Sequence, residues 1–153
     1  MRGAAFTSAV MSRSQKSSID MLMYYDARPC VLNGMFDFYT LRPLKGYYPF
    51  LMFSKLYELK NEVESSSNDD ELYIAAAKNE DNKAIMVTYY SLDKNAPDKN
   101  VEITGLDEDE WYCYYLDADR TLEKETLTVK SGNVTLNMPK ECVAFITNDS
   151  DMF

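Results

Sequence analysis

The hydrophobic pattern of the chain changes its period at a polar segment, residues 65–70, and this change constrains the fold more than any other feature. After it, apolar side chains recur at every second position in short stretches, as in half-buried β-strands. Turn-forming sequences such as 79–82 and 131–133 separate these stretches. Strands are predicted over 71–78, 83–91, 100–104, 110–117, 125–130, 133–138 and 141–147. Short strands at this spacing predict an antiparallel β-sandwich over 71–148, followed by a tail over 149–153.

Two amphipathic helices are predicted before this polar linker. Ala5 and Ala9 lie four residues apart on an apolar stripe, which predicts a helix over 3–15. Pro49 suits the first turn of a second helix, because its missing N–H would have no partner there. The apolar side chains that follow keep to one side, and this helix is predicted to end near residue 64.

One buried strand is predicted between the two helices, over residues 19–25. Its side chains are apolar on both alternating faces, which is typical of a parallel sheet covered on both sides. A single helix–strand–helix unit cannot cover both faces and both edges of such a strand, so residues 1–64 are predicted to be part of a larger α/β domain. By itself the chain is expected to self-associate through these uncovered edges and apolar patches.

Charge is distributed unevenly along the chain. Residues 1–60 carry 8 Lys and Arg and 4 Asp and Glu (+4), and residues 61–153 carry 8 and 21 (−13), which sum to the net charge of −9. An acidic chain of this kind is not expected to bind nucleic acid, which needs basic patches. No stretch approaches the roughly 20 apolar residues of a membrane span, and the start does not fit a signal peptide. We therefore expect no membrane partner and a cytoplasmic location.

The residue types limit the possible chemistry. The chain has no histidine, so acid–base catalysis would fall to Asp, Glu, Lys, Tyr or Cys. Cys30, Cys113 and Cys142 are widely spaced and odd in number, which predicts buried free thiols and no disulfide framework. Without a histidine to activate it, Cys30 is not expected to be a nucleophile. The acidic run over 107–110 does not match a calcium-binding loop and is predicted to be a solvated turn. No cofactor and no metal site are expected.

Two stretches resemble the end of a known catalytic domain. They read SIDMLMYYDARPCVLNGMFD over 18–37 and LRPLKGYYPF over 41–50. Both are similar to bacterial glycoside hydrolases of the β-xylosidase and α-L-arabinofuranosidase type, close to family 39. In such enzymes a (β/α)₈ barrel is followed by a small β-sandwich. The resemblance therefore implies an α/β-barrel remnant over 1–64, with helix seven, strand eight and helix eight, followed by an all-β antiparallel sandwich.

The resemblance also implies a reaction. Retaining glycosidases use two carboxyl groups about 5–5.5 Å apart, one as acid/base and one as nucleophile. In these enzymes the two glutamates end strands four and seven of the barrel, and the resemblance implies that this chain contains neither. We expect the C-terminal fragment of a hydrolase for xyloside- or arabinofuranoside-like substrates, inactive alone, whose partner in the full-length enzyme is an oligosaccharide or polysaccharide.

The same resemblance implies candidate substrate-binding residues after the eighth strand, because barrel active sites lie at the C-terminal ends of the strands. Asp26 could accept hydrogen bonds from sugar hydroxyls, and Arg28 could donate them or hold Asp26 in place. Tyr25 could stack on a sugar ring. The alternative is a structural loop pair with aromatic side chains that only pack. Further candidates in the long connection are Asn33, Phe36, Asp37 and Tyr39.

A non-catalytic module is the main alternative function. The stretch 111–115 is rich in aromatic residues, and in a strand Trp111, Cys113 and Tyr115 face one way while Tyr112 and Tyr114 face the other. One set is predicted to be core. The other set could pair across strands, pack on the barrel or bind polysaccharide. A carbohydrate-binding sandwich and a purely structural module therefore both stay open.

Overall fold

A computed structural model describes residues 1–28, 34–107 and 110–153. In this part of the chain the helices are α1 (Arg2–Ser14) and α2 (Tyr48–Leu59). The strands are β1 (Asn61–Val63), β2 (Leu72–Lys78), β3 (Lys83–Tyr89), β4 (Lys99–Thr104), β5 (Trp111–Leu116), β6 (Thr121–Leu127), β7 (Asn133–Met138) and β8 (Cys142–Thr147). Neither helix has the length and apolar character that crossing a membrane requires.

The strands form two antiparallel sheets. The larger sheet has six strands in the order β1-β2-β3-β8-β5-β6, and the smaller sheet pairs β4 with β7. The last strand of the sequence, β8, therefore lies in the middle, where Ile146 pairs with Ile85 on one side and with Cys113 on the other. Every residue of β8 is buried, as expected for a strand covered on both faces. The prediction of an antiparallel β-sandwich after a helical part is confirmed.

The six-stranded sheet buries both of its faces. One face packs on β4 and β7, and Trp111, Cys113 and Tyr115 of β5 point to that side. The other face packs on α1 and α2, and Tyr114 and Leu116 point there. Successive side chains of a strand alternate between the faces of its sheet, so the predicted alternation along β5 is confirmed.

Small side chains bring α1 close to the sheet. Its buried residues recur three or four positions apart and are Ala4, Ala5, Ser8, Ala9 and Ser12. This stripe leaves Phe6 exposed and directs it towards Tyr90, with the two ring centroids 5.6 Å apart. The predicted helix over 3–15 is present, and its contact face is built from alanine and serine.

The second helix ends earlier than predicted. It stops at Leu59, and Lys60 has a positive φ of 75°, a conformation that breaks a helix. The next three residues form β1, which pairs with residues 76–78 of β2. The predicted end near residue 64 is wrong because tertiary pairing with the sheet edge overrides the helical pattern at this point.

Residues 19–25 are neither helix nor strand, so the strand predicted there is absent from the structure. A strand is defined by hydrogen bonds to a neighbouring strand, and no strand of the described chain pairs with this segment. Its apolar side chains are exposed. The α/β-barrel remnant is therefore not confirmed, and the division at residues 65–70 stays a prediction.

The position of β6 also differs from the prediction of 125–130. The strand runs from Thr121 to Leu127 at the sheet edge, with an irregular register where it meets Tyr115 and Leu116. Most of its side chains are exposed, so their alternation carries little hydrophobic signal from which to set its bounds. The other strands predicted for the sandwich agree with the structure within two residues at either end.

Candidate functional site

The segment before the candidate loop is attached to α2 by one aromatic contact. The Tyr24 ring packs edge-on against Phe50, with centroids 5.2 Å apart and planes at 70°. The next side chain along the chain, that of Tyr25, is exposed, and the Tyr25–Asp26 peptide bond is cis. The Tyr24 ring thus holds the segment against α2, while Tyr25 lies at the surface.

The structure brings Tyr25, Asp26 and Arg28 together. The Arg28 guanidinium forms an ion pair with Asp26 through Nε, and its Nη2 donates to the Tyr25 hydroxyl at 3.4 Å. The backbone N–H of Arg28 donates to Asp26 Oδ1 at 2.9 Å, which closes a tight turn. Arg28 stays 69% exposed while Asp26 is 18% exposed. The arrangement leaves the Arg28 guanidinium exposed at the surface, beside the exposed side chain of Tyr25.

Phe36 and Asp37 lie in a separate turn over residues 35–44. The Phe36 ring packs against Tyr47 with centroids 5.5 Å apart, so it fixes this turn on the start of α2. Asp37 Oδ1 accepts hydrogen bonds from the backbone N–H of Thr40 at 2.7 Å, from its hydroxyl at 2.8 Å and from the N–H of Tyr39 at 3.0 Å. These bonds, those from Thr40 first, hold the pKa of Asp37 below its usual value.

The carboxylates of this region are suited to binding and unsuited to acid catalysis. A retaining glycosidase needs one carboxyl group whose pKa is raised so that it can donate a proton. The pKa of Asp37 is shifted in the opposite direction, and Asp26 is committed to Arg28. No group of His, Cys, Asp and Glu side chains in the described residues could hold a metal ion.

The predicted site residues therefore divide into two structural groups. Tyr25, Asp26 and Arg28 contact one another, whereas Phe36 belongs to the turn on α2. Tyr39 is exposed on that turn. Asn33 lies outside the described residues, as does Cys30. A role in substrate binding stays a prediction for all of them.

Lys45, which no sequence pattern marks as a site residue, connects this region to the sandwich. Lys45 Nζ donates to the backbone carbonyl oxygens of Asp117, of Ala118 at 2.7 Å and of Arg120 at 3.3 Å. These carbonyls belong to the turn between β5 and β6, about 70 residues away in the chain. No local pattern signals such a partner, although Lys45 lies in one of the two stretches that carry the family resemblance.

Most aromatic side chains of β5 are buried. Trp111 is 2% exposed and Tyr114 is 4% exposed, so neither side chain can stack on a polysaccharide. Tyr114 instead contacts Phe153, with ring centroids 4.9 Å apart. Both sheet faces are covered, so the Trp111 and Tyr114 rings are not available for such binding, and carbohydrate binding by the sandwich stays a prediction.

The two described cysteines are free and buried, as predicted. Burial raises the pKa of the Cys113 thiol to about 12 and raises that of Cys142 as well. Neither thiol is poised to form a thiolate at neutral pH, so neither can act as a nucleophile.

An apolar groove runs between the two helices and the irregular segment 19–24. Its volume is about 430 Å³, and α1 contributes Phe6 and Val10 to its walls while α2 contributes Phe50 and Phe53. The third wall is the apolar segment itself. Phe6, Phe50 and Phe53 thus line a groove next to the exposed side chains of segment 19–24.

The fold is similar to parts of solved glycoside hydrolases. No family model matches the sequence, and no curated protein matches it. A family 30 subfamily 8 xylanase from Clostridium acetobutylicum matches with a TM-score of 0.73 and 13% identity over 95% of this chain and 38% of its own. A family 30 endoxylanase from Clostridium papyrosolvens matches with a TM-score of 0.68 and 11% identity over 96% of this chain and 38% of its own. The catalytic domain of a family 30 xylanase from Talaromyces cellulolyticus matches over 71% of this chain and 25% of its own, with a TM-score of 0.55 and 18% identity.

These comparisons show that the chain shares its fold with parts of these xylanases. At such low identities they show the fold alone, and the chain spans less than two-fifths of the length of each of these xylanases. The neighbours are family 30 enzymes, so the specific resemblance to family 39 is not shown.

Proposed function

We propose that this chain is the C-terminal part of a glycoside hydrolase that acts on xyloside-type O-glycosidic bonds. Residues 1–64 complete a (β/α)₈ barrel, and the sandwich packs on the barrel's last helix. The chain-wide likeness to two family 30 xylanases supports this assignment. The arginine and tyrosine of the loop over 25–28 fit the recognition of sugar hydroxyls.

One observation carries the proposal, namely the exposure of an apolar segment on both of its faces. Met21, Met23 and Tyr25 are 75%, 83% and 76% exposed, and the intervening Leu22 is 54% exposed. Burying a side chain of this size is worth about 1.5–3 kcal/mol, so leaving several of them in water is costly. Neighbouring barrel strands would cover both faces of this segment and pair with its backbone.

In this proposal the chain contributes substrate binding and leaves the bond-breaking step to other parts of the barrel. Tyr25 offers a ring face, and Arg28 offers guanidinium donors whose position is fixed by Asp26. The two catalytic carboxyl groups come from strands outside residues 1–153. The loop then sets the orientation of the sugar relative to those carboxyl groups.

The first test measures the chain alone. The 153-residue protein is incubated with nitrophenyl xyloside, nitrophenyl arabinofuranoside and xylan, and product is compared with that of a heat-treated control. We expect no turnover, because in this proposal both catalytic carboxyl groups lie outside residues 1–153. Clear turnover by the intact chain would refute the proposal that bond breaking belongs to other parts of the barrel.

The second test supplies a barrel. The part of the Clostridium acetobutylicum xylanase that precedes the matched region is joined to the N-terminus of this chain. We expect a soluble chimera that hydrolyses xylan, and an Arg28→Ala chimera with a raised KM for xylan. A Lys55→Ala chimera is the matched control, since Lys55 pairs with Glu58 on the surface of α2, away from the 25–28 loop. A chimera that melts cooperatively but cleaves no xylan would contradict the proposal.

A purely structural role is the second candidate function. One continuous core joins α1 and α2 to the six-stranded sheet, with Met52 and Phe145 fully buried in it. Such a core clamps the helices whether or not the loop over 25–28 touches substrate. The Arg28→Ala chimera separates the two candidates, because a structural role predicts an unchanged KM.

A further inference from the structure

A polar cleft lies where α1, the segment 65–70 and β2 meet. Its volume is about 520 Å³, within the range of small-molecule sites. It is lined on one side by the last turn of α1, with Ser12, Arg13 and Lys16, and on the other by the serine-rich segment. Tyr73 of β2 also lines the cleft, and none of the loop residues over 25–28 does.

The cleft contains a buried hydroxyl group that no described residue satisfies. Ser12 is 2% exposed, and its Oγ has no hydrogen-bond partner in the described part of the chain. One turn earlier on the same helix face, Ser8 is fully buried and its Oγ lies 2.6 Å from Thr88 Oγ1. Thr88 pairs with Tyr73 of β2, which lines the cleft. The Ser8 hydroxyl therefore has a partner next to the cleft, whereas the Ser12 hydroxyl, one turn later, has none among the described residues. Buried polar groups are almost always paired, and an exception calls for a partner.

The far wall of the cleft is held in place by its own hydrogen bonds. Lys16 Nζ donates to the Ser65 carbonyl oxygen, and the Asp69 N–H donates to Ser67 Oγ at 3.0 Å. Asp69 is further tied to Lys99, whose ammonium also binds Glu71 at 2.8 Å. A wall fixed in this way loses little freedom when a ligand binds.

The unused groups of the cleft fit a neutral, hydroxyl-rich ligand. Arg13 and Lys16 contribute two positive charges, and Asp69 and Asp70 contribute two negative charges, so the lining sums to zero. Within the described residues, neither the Arg13 guanidinium nor the Asp70 carboxylate has a hydrogen-bond or ion-pair partner. The site thus offers hydrogen-bond donors on Arg13, acceptors on Asp70 and a Ser12 hydroxyl that can both donate and accept. The half-buried Tyr73 ring adds an apolar surface suited to the C–H face of a sugar.

We propose that this cleft is a non-catalytic saccharide-binding site in which the Ser12 hydroxyl, Arg13 and Asp70 bind sugar hydroxyls. The inference goes beyond the proposed hydrolase function and does not depend on it, because it uses no residue of the 25–28 loop. A simple oxyanion fits the cleft less well, since Asp69 and Asp70 and the carboxyl end of α1 all repel negative charge.

The test is an NMR titration of the full 153-residue chain with xylohexaose, cellohexaose and inorganic phosphate. We expect one of the hexasaccharides to shift backbone signals over 12–16 and 65–73. Ser12→Ala should weaken its affinity about fivefold, since one hydrogen bond is lost, and Asp70→Asn should weaken it by a similar factor.

Ser8→Ala is the matched control. It removes the hydroxyl that bonds Thr88, so it should lower the thermal stability while leaving the dissociation constant of the saccharide unchanged. If neither hexasaccharide binds at millimolar concentration, the proposal is wrong. It would be overturned equally by an unchanged affinity in Ser12→Ala, by phosphate binding in place of sugar, or by shifts confined to the 25–28 loop.

Discussion

Replacing Lys45 with methionine tests whether the loop before α2 is held by the sandwich. Methionine keeps most of the length of the side chain and removes the ammonium group. In the native protein this ammonium donates to the carbonyl oxygens of Asp117, Ala118 and Arg120. The substitution therefore removes a charged tie between two parts of the fold without opening a large cavity.

The expected cost follows from the surroundings of the three carbonyls. The Ala118 carbonyl is exposed and can return to water, and the Arg120 carbonyl already accepts the N–H of Asp117 at 3.1 Å. The loss thus corresponds to about one hydrogen bond to a charged group, or about 2 kcal/mol. For a chain of this size that amounts to a fall in Tm of about 4–8 °C.

The matched control is Lys55→Met. Lys55 is also a half-buried lysine, but among the described residues its ion pair is a surface one, with Glu58 at 3.1 Å. Such pairs contribute about 0.3–0.5 kcal/mol, so Tm should fall by no more than about 2 °C. Calorimetry gives both values, and amide hydrogen exchange over 117–120 should rise only in Lys45→Met. Equal Tm shifts in the two variants would refute the assignment of Lys45 as the tie.

Three further outcomes are expected from buried groups. Phe145→Ala should lower the free energy of unfolding in urea by about 3–5 kcal/mol, because the ring is fully buried between two sheet neighbours and the helices. Burial by itself would raise the pKa of Asp117, but hydrogen bonds from Arg120 outweigh this effect and hold it below the usual value. The pair of Asp117 and Arg120 therefore stabilises the fold above the unfolded pKa of about 3.9, and this stabilisation is lost as pH falls through the folded pKa. In Asp117→Asn, the free energy of unfolding should depend less steeply on pH below about pH 4. Iodoacetamide at about pH 8 should modify Cys113 and Cys142 only after denaturation, as read by mass spectrometry, because burial raises the pKa of both thiols.

The strands of the sandwich leave two different patterns in the sequence. A strand with one covered face alternates apolar and polar side chains, as β7 does. An inner strand covered on both faces is apolar throughout, as β5 is. The predicted bounds of both strands are close to those found. The edge strand β6 shows neither pattern, because most of its side chains are exposed.

The candidate site could be predicted only in part. The contact between Asp26 and Arg28 is local, so two residues of sequence were enough to suggest it. The tie from Lys45 to the turn after β5 spans 72 residues to Asp117, and the unsatisfied Ser12 is visible only beside its satisfied neighbour Ser8. Contacts of this kind depend on which elements pack together, and no local pattern records that.

The sequence by itself determined where the two helices begin, where most strands of the sandwich lie and which of their faces are apolar, because these properties follow from the spacing of side chains along the backbone. The tertiary structure decided where α2 stops, which strand occupies the centre of the sheet, and that residues 19–25 form no strand in the described chain. A strand needs a partner for its backbone hydrogen bonds, and an apolar pattern states only that a segment should be buried. Whether a covering surface exists is a property of the whole fold.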